Sequence, residues 1–164
     1  MTIMPDMIHS LLLPVRGKML LPHATVAEVV AYQKAEPVPH APAWLAGMLL
    51  WRGLRIPLVF FEGACGESLP VSPPAQQKIV VLKTLGGDPE LPFIALVMQG
   101  IPRALRVDKE TVMPDSHDVT APLILKHVNI QGQSAYIPNL DALENSVKMA
   151  LASSSQVWQA SGIN

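Results

Sequence analysis

Charged residues are scarce in this 164-residue chain: they make up 15% of it, and their signs nearly cancel to a net charge of −1. The chain therefore lacks the positive field that holds nucleic acid or an anionic membrane surface, and we expect no nucleic-acid partner. Apolar residues make up 49% of the sequence. With so few charges, part of this apolar surface must face solvent, and such surface indicates contact with other proteins.

Cysteine and long apolar runs are equally sparse. The single cysteine, Cys65, excludes an internal disulfide and suits a reducing compartment. The apolar runs, such as residues 56–61, fall far short of the roughly 20 residues that a membrane span needs. Pro14, Arg16 and Lys18 interrupt the N-terminal apolar stretch, unlike in a signal peptide. We therefore predict a cytoplasmic protein without direct membrane insertion.

Patterns for metal binding and catalysis are missing. No two of the five histidines stand four residues apart and no Cys-x-x-Cys pair exists, so no zinc spacing is visible. Gly86-Gly87 lacks the Lys-Ser/Thr of a phosphate-binding loop. The polar cluster at residues 115–118 fits a solvated loop better than a metal or proton-relay site. We expect no enzymatic activity, no catalytic residues, no metal and no cofactor.

Cys65 is the remaining candidate nucleophile. It lies between Ala64 and Gly66, and its charged neighbours in the sequence are Glu62 and Glu67. A reactive thiolate needs a base or a cation, whereas acidic neighbours hold the pKa of a thiol up. We therefore predict an accessible but unreactive cysteine.

Sixteen prolines and ten glycines divide the chain into short apolar runs. Runs at this spacing with turn signals between them are typical of an all-β barrel protein. Residues 25–32 fit either a strand or a short helix, and residues 108–112 fit a polar turn. Strands are predicted at residues 11–15, 18–21, 48–51, 54–61, 78–85, 91–98, 101–107, 123–130 and 134–137.

Helix signals occur at two places only. Pro42 suits the first turn of a short helix over residues 43–46, which Gly47 would end. Asn139 is a candidate N-cap for a terminal helix over residues 140–151, with an apolar face. That face consists of Leu140, Leu143, Val147 and Leu151.

The remaining segments define the domain limits. Residues 62–77 are rich in glycine and proline and are predicted to be an exposed loop. The serine-rich end is predicted to be a flexible tail over residues 153–164. A single domain is therefore expected over residues 1–152.

Arg52 is the most informative single residue, because it stands at a turn between two apolar strands. A turn arginine is ordinarily a solvated charge, but apolar neighbours make Arg52 a candidate contact anchor, since interfaces favour Arg and Trp. Internal pairing with Glu28 is an alternative. Trp44 and Trp51 are interpreted as core aromatics.

The segment over residues 36–59 carries a family resemblance, and it reads EPVPHAPAWLAGMLLWRGLRIPLV. It resembles the signature of CheW-like domains: a proline-rich stretch, a short helix, Gly-x-x-x-x-Arg-Gly, then Ile/Val-Pro and two hydrophobic residues. Residues 25–30 resemble the family's Val-x-Glu-Ile/Val segment upstream. The strand order of residues 78–107 and the closing hairpin and helix at 123–143 extend the similarity over nearly the whole chain.

This resemblance implies an all-β fold with minor helix: two SH3-like five-stranded barrels, interleaved around a shared apolar seam, and a C-terminal helix. It also implies a non-enzymatic adaptor. Such an adaptor couples the cytoplasmic tip of a methyl-accepting chemoreceptor to the regulatory domain of a CheA-type histidine kinase, in membrane-associated receptor arrays. The alternative is a protein-binding module of the same fold with a different signalling partner.

The resemblance also implies partner-binding residues. The receptor-facing segment of the family falls on Val26, Glu28 and Val29. Its conserved turn near the same groove falls on Gly47, Arg52 and Gly53. Kinase contact in the family falls on residues 54–61.

Two departures from the family pattern stand out. Phe60-Phe61 replaces the usual Asp-Leu after Ile-Pro-Leu-Val, and the N-terminal hairpin is compressed at residues 16–22. A loop rich in glycine and proline follows Phe61. This divergence resembles that of adaptors in the type IV pilus, twitching-motility branch.

Overall fold

The computed structural model describes residues 8–70, 74–108, 112–114 and 121–160. These ranges contain eleven strands, two α-helices and two single 3-10 turns, at His23–Thr25 and Pro74–Gln76. The strands are β1 (Ile8–Leu13), β2 (Met19–Pro22), β3 (Val26–Ala31), β4 (Leu45–Trp51), β5 (Leu54–Val59), β6 (Lys78–Lys83), β7 (Phe93–Met98), β8 (Arg103–Val107), β9 (Val112–Pro114), β10 (Ile124–Ile130) and β11 (Gln133–Pro138). The helices are α1 (Phe61–Ala64) and α2 (Leu140–Ala160).

The strands form two sheets, and we refer to each sheet with its interior as a lobe. The first lobe has five strands in the order β3-β6-β7-β5-β4. The second has six, in the order β8-β1-β2-β11-β10-β9, because the three-residue β9 joins the five expected strands. The N-terminal hairpin of β1 and β2 thus belongs to the second lobe. The mainly β fold with a C-terminal helix, predicted from the sequence, is confirmed.

Three apolar clusters explain why the strand sequences are nearly continuously apolar. In β6 and β7, Ile79 and Val97 face the interior of the first lobe, whereas their neighbours Val80 and Leu96 face a cluster shared by both lobes. Strands that are buried on both faces lose the usual alternation of polar and apolar residues. We call the shared cluster the seam. The second lobe has its own interior around Leu12, Leu20, Val128 and Ile130.

Helix α2 packs into the seam through Leu143 and Val147. The predicted cap is confirmed, because the backbone N–H of Ala142 donates to Asn139 Oδ1 at 3.1 Å. The helix is longer than predicted and extends to Ala160. The flexibility of residues 153–164 stays a prediction, and residues 161–164 lie outside the described residues.

The short helix predicted over residues 43–46 is wrong. Only one turn forms there, where the N–H of Leu45 donates to the carbonyl of Pro42 at 3.0 Å, and β4 begins at Leu45. The carbonyl of Trp44 instead accepts the N–H of Phe60 at 2.8 Å, and from Leu45 onward the chain pairs with β5. Long-range pairing therefore takes up the backbone groups that a helix would have used.

The exposed loop predicted over residues 62–77 is also wrong in part. The strand β5 ends at Val59, and α1 follows with Phe61 and Glu62 both buried. Gln77, just before β6, is buried as well. Residues 71–73 and the polar cluster at 115–118 lie outside the described residues. The ambiguous residues 25–32 form a strand, β3.

Candidate partner-binding site

The turn between β4 and β5 holds Arg52 at the rim of the first lobe. Arg52 and Gly53 both have positive φ angles, of 48° and 77°. Two consecutive residues of this kind form the tight turn that matches the twist of a β-hairpin. A Cβ built on Gly53 would meet nothing within 4 Å. The Arg52 side chain is 64% exposed, so its guanidinium is available at this rim.

Arg52, Trp51 and Glu28 form one contact network, which we call the rim triad. The indole N–H of Trp51 donates to Glu28 Oε2 at 2.7 Å, and Nη2 of Arg52 lies 3.5 Å from the same oxygen. The Arg52 guanidinium carbon lies 4.7 Å from the centre of the Trp51 ring. Arg52 is therefore paired with Glu28, which was one of the alternatives predicted from the sequence. Its side chain is nevertheless largely exposed to solvent.

The rim triad also joins the two edges of a sheet. Glu28 lies on β3 and Trp51 on β4, the outermost strands of the first lobe. Edge strands present backbone groups without partners, and proteins cover or close such edges. Trp51 is 8% exposed, and its ring packs edge-on against Phe93, with 4.8 Å between the ring centres. The core role predicted for Trp51 is confirmed, and its N–H adds a link across the open side of the sheet.

The other predicted residues of β3 lie on a different face. Glu28 stands opposite Val81, which faces the first-lobe interior, whereas Val29 stands opposite Val80, which faces the seam. A bulge separates Val26 from Glu28, and Val26 packs against the seam. Val29 is 38% exposed. The structure thus brings Glu28 to Arg52 and Gly53 and turns Val26 and Val29 away from them.

Gly47 has a structural position apart from the rim triad. It is buried within β4, with a φ of 145°, at a bulge opposite Leu58. A Cβ on Gly47 would lie 2.2 Å from the carbonyl oxygen of Glu36. Arg52 follows it five positions later, roughly 16 Å along an extended strand. Gly47 therefore permits the close approach of the chain at Glu36 and does not border the triad.

Most of the segment assigned to kinase contact, residues 54–61, is inside the protein. Ile56, Leu58, Val59 and Phe61 are each at most 1% exposed. Leu54 and Arg55 reach the surface, and Leu50, directly opposite Arg55, is 70% exposed. Sequence reasoning missed Leu50, because it stands in an uninterrupted apolar run; the burial alternation along β4 places it on the outer face. Leu54 stands opposite Trp51, on the other face of the hairpin. We call Leu50 and Arg55 the hairpin patch.

Cys65 is half-buried at the C-terminal end of α1. Burial is the main cause that raises the pKa of the thiol, to about 11, with smaller contributions from Glu67 and Glu62 and an opposing one from Arg16. The predicted direction is confirmed. The main cause is different, because α1 carries the thiol into apolar surroundings, where the charged thiolate is disfavoured.

Within the described ranges, no group of three or more His, Cys, Asp or Glu side chains could hold a metal ion. In the same part of the chain, no helix has the length and apolar character needed to cross a membrane.

Comparisons with known proteins identify a similar fold and a family. The fold is similar to the crystal structure of the scaffolding protein TtCheW from Thermoanaerobacter tengcongensis, with a TM-score of 0.68. The match covers 85% of this chain and 87% of that one, at 17% sequence identity, which supports the fold alone. A search of curated proteins finds no match. Residues 12–148, most of the chain, match the CheW-like domain. The chain therefore belongs to the CheW-like domain family.

Proposed function

We propose that this protein is a cytoplasmic adaptor that couples the tip of a methyl-accepting chemoreceptor to the regulatory domain of a CheA-type histidine kinase. CheW-like domains are scaffolds without enzymatic activity, and this chain has their fold. The observation that carries the proposal is the rim triad. Arg52 is exposed, and its guanidinium rests on the Trp51 ring and pairs with Glu28. It stands at the position to which the family resemblance assigns receptor contact.

The chemistry of Arg52 suits such a contact. A guanidinium carries five N–H donors in a planar fork and is always charged. Only Nη2 of Arg52 faces Glu28, at 3.5 Å, so most donors remain available to a partner. A carboxylate, or the carbonyls at a helix end, would complete them. We assign Arg52, with Glu28 and Gly53, to the receptor side, and leave Val26 and Val29, which face away from the rim triad, outside this contact.

The hairpin patch supplies a second surface for the kinase. Leu50 exposes apolar area directly opposite Arg55, and a combination of apolar residues with arginine is found at interfaces. Arg55 lies 3.2 Å from Glu36, and both side chains are more than half exposed, so this ion pair is weak and leaves Arg55 free to exchange partners. An adaptor needs two surfaces, and the alternation along β4 turns Leu50 and Arg55 to the face of the hairpin opposite to that of Trp51.

We also propose that this adaptor belongs to the type IV pilus branch. The grounds are the two departures from the family pattern, Phe60-Phe61 and the compressed hairpin at residues 16–22. Phe61 fills the seam and Phe60 packs against the first-lobe interior, so this substitution is accommodated by packing. Arg16, in the compressed hairpin, contacts the loop that follows Phe61. Binding to the receptor of a pilus-type system, and not to that of a flagellar system, would support this assignment.

Separate titrations test the two surfaces. We expect Arg52→Ala to weaken binding of the receptor tip roughly ten-fold or more, while stability changes by less than about 1 kcal/mol, since the broken ion pair is exposed. Leu50→Asp should weaken binding of the kinase regulatory domain and leave receptor binding unchanged. Arg106→Ala, at an exposed arginine of β8, is the matched control. Wild-type protein that binds neither partner would refute the adaptor assignment.

A further inference from the structure

Within the rim triad, Glu28 is bound more tightly to Trp51 than to Arg52. Glu28 Oε2 lies 2.7 Å from the indole nitrogen of Trp51 but 3.5 Å from the nearest Arg52 nitrogen. The carboxylate is thus anchored by Trp51, and Arg52 makes only a loose ion pair with it. The guanidinium also rests on the face of the Trp51 ring, with its carbon 4.7 Å from the ring centre.

We propose that Trp51 is a positioning residue, whose ring holds the Arg52 guanidinium in one orientation at the rim. This inference deepens the proposed function and rests on it for its biological role. It concerns a residue that sequence reasoning treated as a core aromatic alone.

The geometry explains why the tryptophan, and not the carboxylate, sets the orientation. Trp51 is fixed from below, because it is buried in the first-lobe interior and packed against Phe93. Glu28 is 37% exposed, so water weakens its attraction to the guanidinium. An aromatic face attracts a cation and also restricts the tilt of a planar group that rests on it. An arginine that is already ordered loses less entropy when a partner carboxylate binds it.

The first test needs no partner. In protein labelled with nitrogen-15, the order parameter of the Arg52 Nε–H reports how firmly the side chain is held. Arg106 is an internal reference, because the described part of the chain gives its side chain no hydrogen bond, ion pair or ring contact. We expect Arg52 to be more ordered than Arg106 in the wild type, to fall to the Arg106 level in Trp51→Leu, and to stay ordered in Glu28→Gln.

Three results would overturn the proposal: Arg52 as mobile as Arg106 in the wild type, Arg52 still ordered in Trp51→Leu, or Arg52 released by Glu28→Gln. If Trp51→Leu does not fold, Trp51→Phe replaces it, since it keeps a ring, but one whose smaller face attracts a cation less strongly. A partial loss of Arg52 order is then expected, and wild-type order in this variant would contradict the proposal.

A double-mutant cycle connects Trp51 to binding. Trp51→Phe should weaken binding of the receptor tip about three- to ten-fold in the wild-type background. In the Arg52→Ala background the same substitution should have no effect, because the group it positions is gone. An equal effect in both backgrounds would show that Trp51 acts without Arg52. If wild-type protein does not bind the tip, the proposed function fails, and the order parameters alone decide the role of Trp51.

Discussion

The backbone N–H of Arg16 donates to Glu62 Oε1 at 2.9 Å, and this bond links the β1–β2 turn of the second lobe to α1 of the first. The Arg16 side chain adds a fork to Glu67, with Nε to Oε1 at 2.9 Å and Nη2 to Oε2 at 2.8 Å. Its guanidinium carbon also lies 5.5 Å from the centre of the Tyr136 ring. These contacts join the two places where the sequence departs from the family pattern.

The first prediction separates the side-chain part of this link from its backbone part. Arg16→Ala removes the fork and the ring contact but keeps the N–H bond to Glu62. We expect a loss of about 1 kcal/mol in the free energy of unfolding, since Glu67 is partly exposed. Arg16→Gly should lose less, because Arg16 has a φ of 49° that glycine adopts without strain. Urea denaturation measures both, and a more stable alanine variant would contradict the strain argument.

The second prediction concerns two glycines with different surroundings. Gly47→Ala should destabilise the protein by about 3 kcal/mol or more, or prevent folding, because its Cβ would lie 2.2 Å from the Glu36 carbonyl. Gly53→Ala meets open space and should cost only about 1 kcal/mol for its positive φ. Thermal melts compare the two. Equal losses would mean that backbone conformation, and not the approach of Glu36, accounts for Gly47.

The third prediction concerns the attachment of α2 to the first lobe. Glu144 is 4% exposed, and its two carboxylate oxygens accept the N–H groups of Leu85 and Gly86, at 3.0 and 2.9 Å. Glu144→Gln places an NH₂ group against one of these donors and should cost about 1–3 kcal/mol. Asn145→Ala, at an exposed site on the same helix, should change stability by less than about 0.5 kcal/mol. Equal stability of both variants would show that this carboxylate does not hold the helix.

The fourth prediction concerns the pH dependence of Cys65. Burial raises its thiol pKa from an ordinary 9.0 to about 11, so the folded protein holds this proton longer than the unfolded chain does. The contribution to stability is therefore complete below pH 9 and is lost as the pH rises toward 11. Alkylation by iodoacetamide should be slow near pH 7 and reach half its maximal rate near pH 11. A midpoint at or below pH 9 would contradict this assignment.

Cys65→Ser is the matched control for the thiol. It should abolish labelling and leave partner binding and stability at neutral pH unchanged, because the thiol makes no part of either proposed surface. A lost partner would show that the loop after β5 belongs to an interface.

The sequence predicted most of the strands, and it failed where distant residues decide the structure. Pro42 and Gly47 carry local helix signals, yet pairing with β5 makes the stretch from Leu45 onward a strand. Glycines around residue 63 indicate an exposed loop, yet Phe61 fills the seam and brings Glu62 inside with it. Local composition contains no information about either contact.

In the candidate site, too, the sequence predicted individual residues but not the contacts between distant ones. Arg52 and Glu28 were identified from motifs, and their pairing was among the alternatives considered. The role of Trp51 depends on a hydrogen bond between residues that are 23 positions apart in the sequence, and no pattern in the sequence indicates it. Leu50 likewise stands in the apolar run of residues 48–51, so its exposure is visible only in the burial alternation of β4.

The central claim is that one molecule of this protein holds a receptor and a kinase together, and a bridging measurement tests it most directly. Immobilised receptor tip is incubated with the kinase regulatory domain, with or without this protein, and retained kinase is measured. We predict retention only when the protein is present, reduced about ten-fold or more by either Arg52→Ala or Leu50→Asp and unchanged by Arg106→Ala. Kinase retention that is independent of the protein, or competition between tip and kinase for a single surface, would contradict the account.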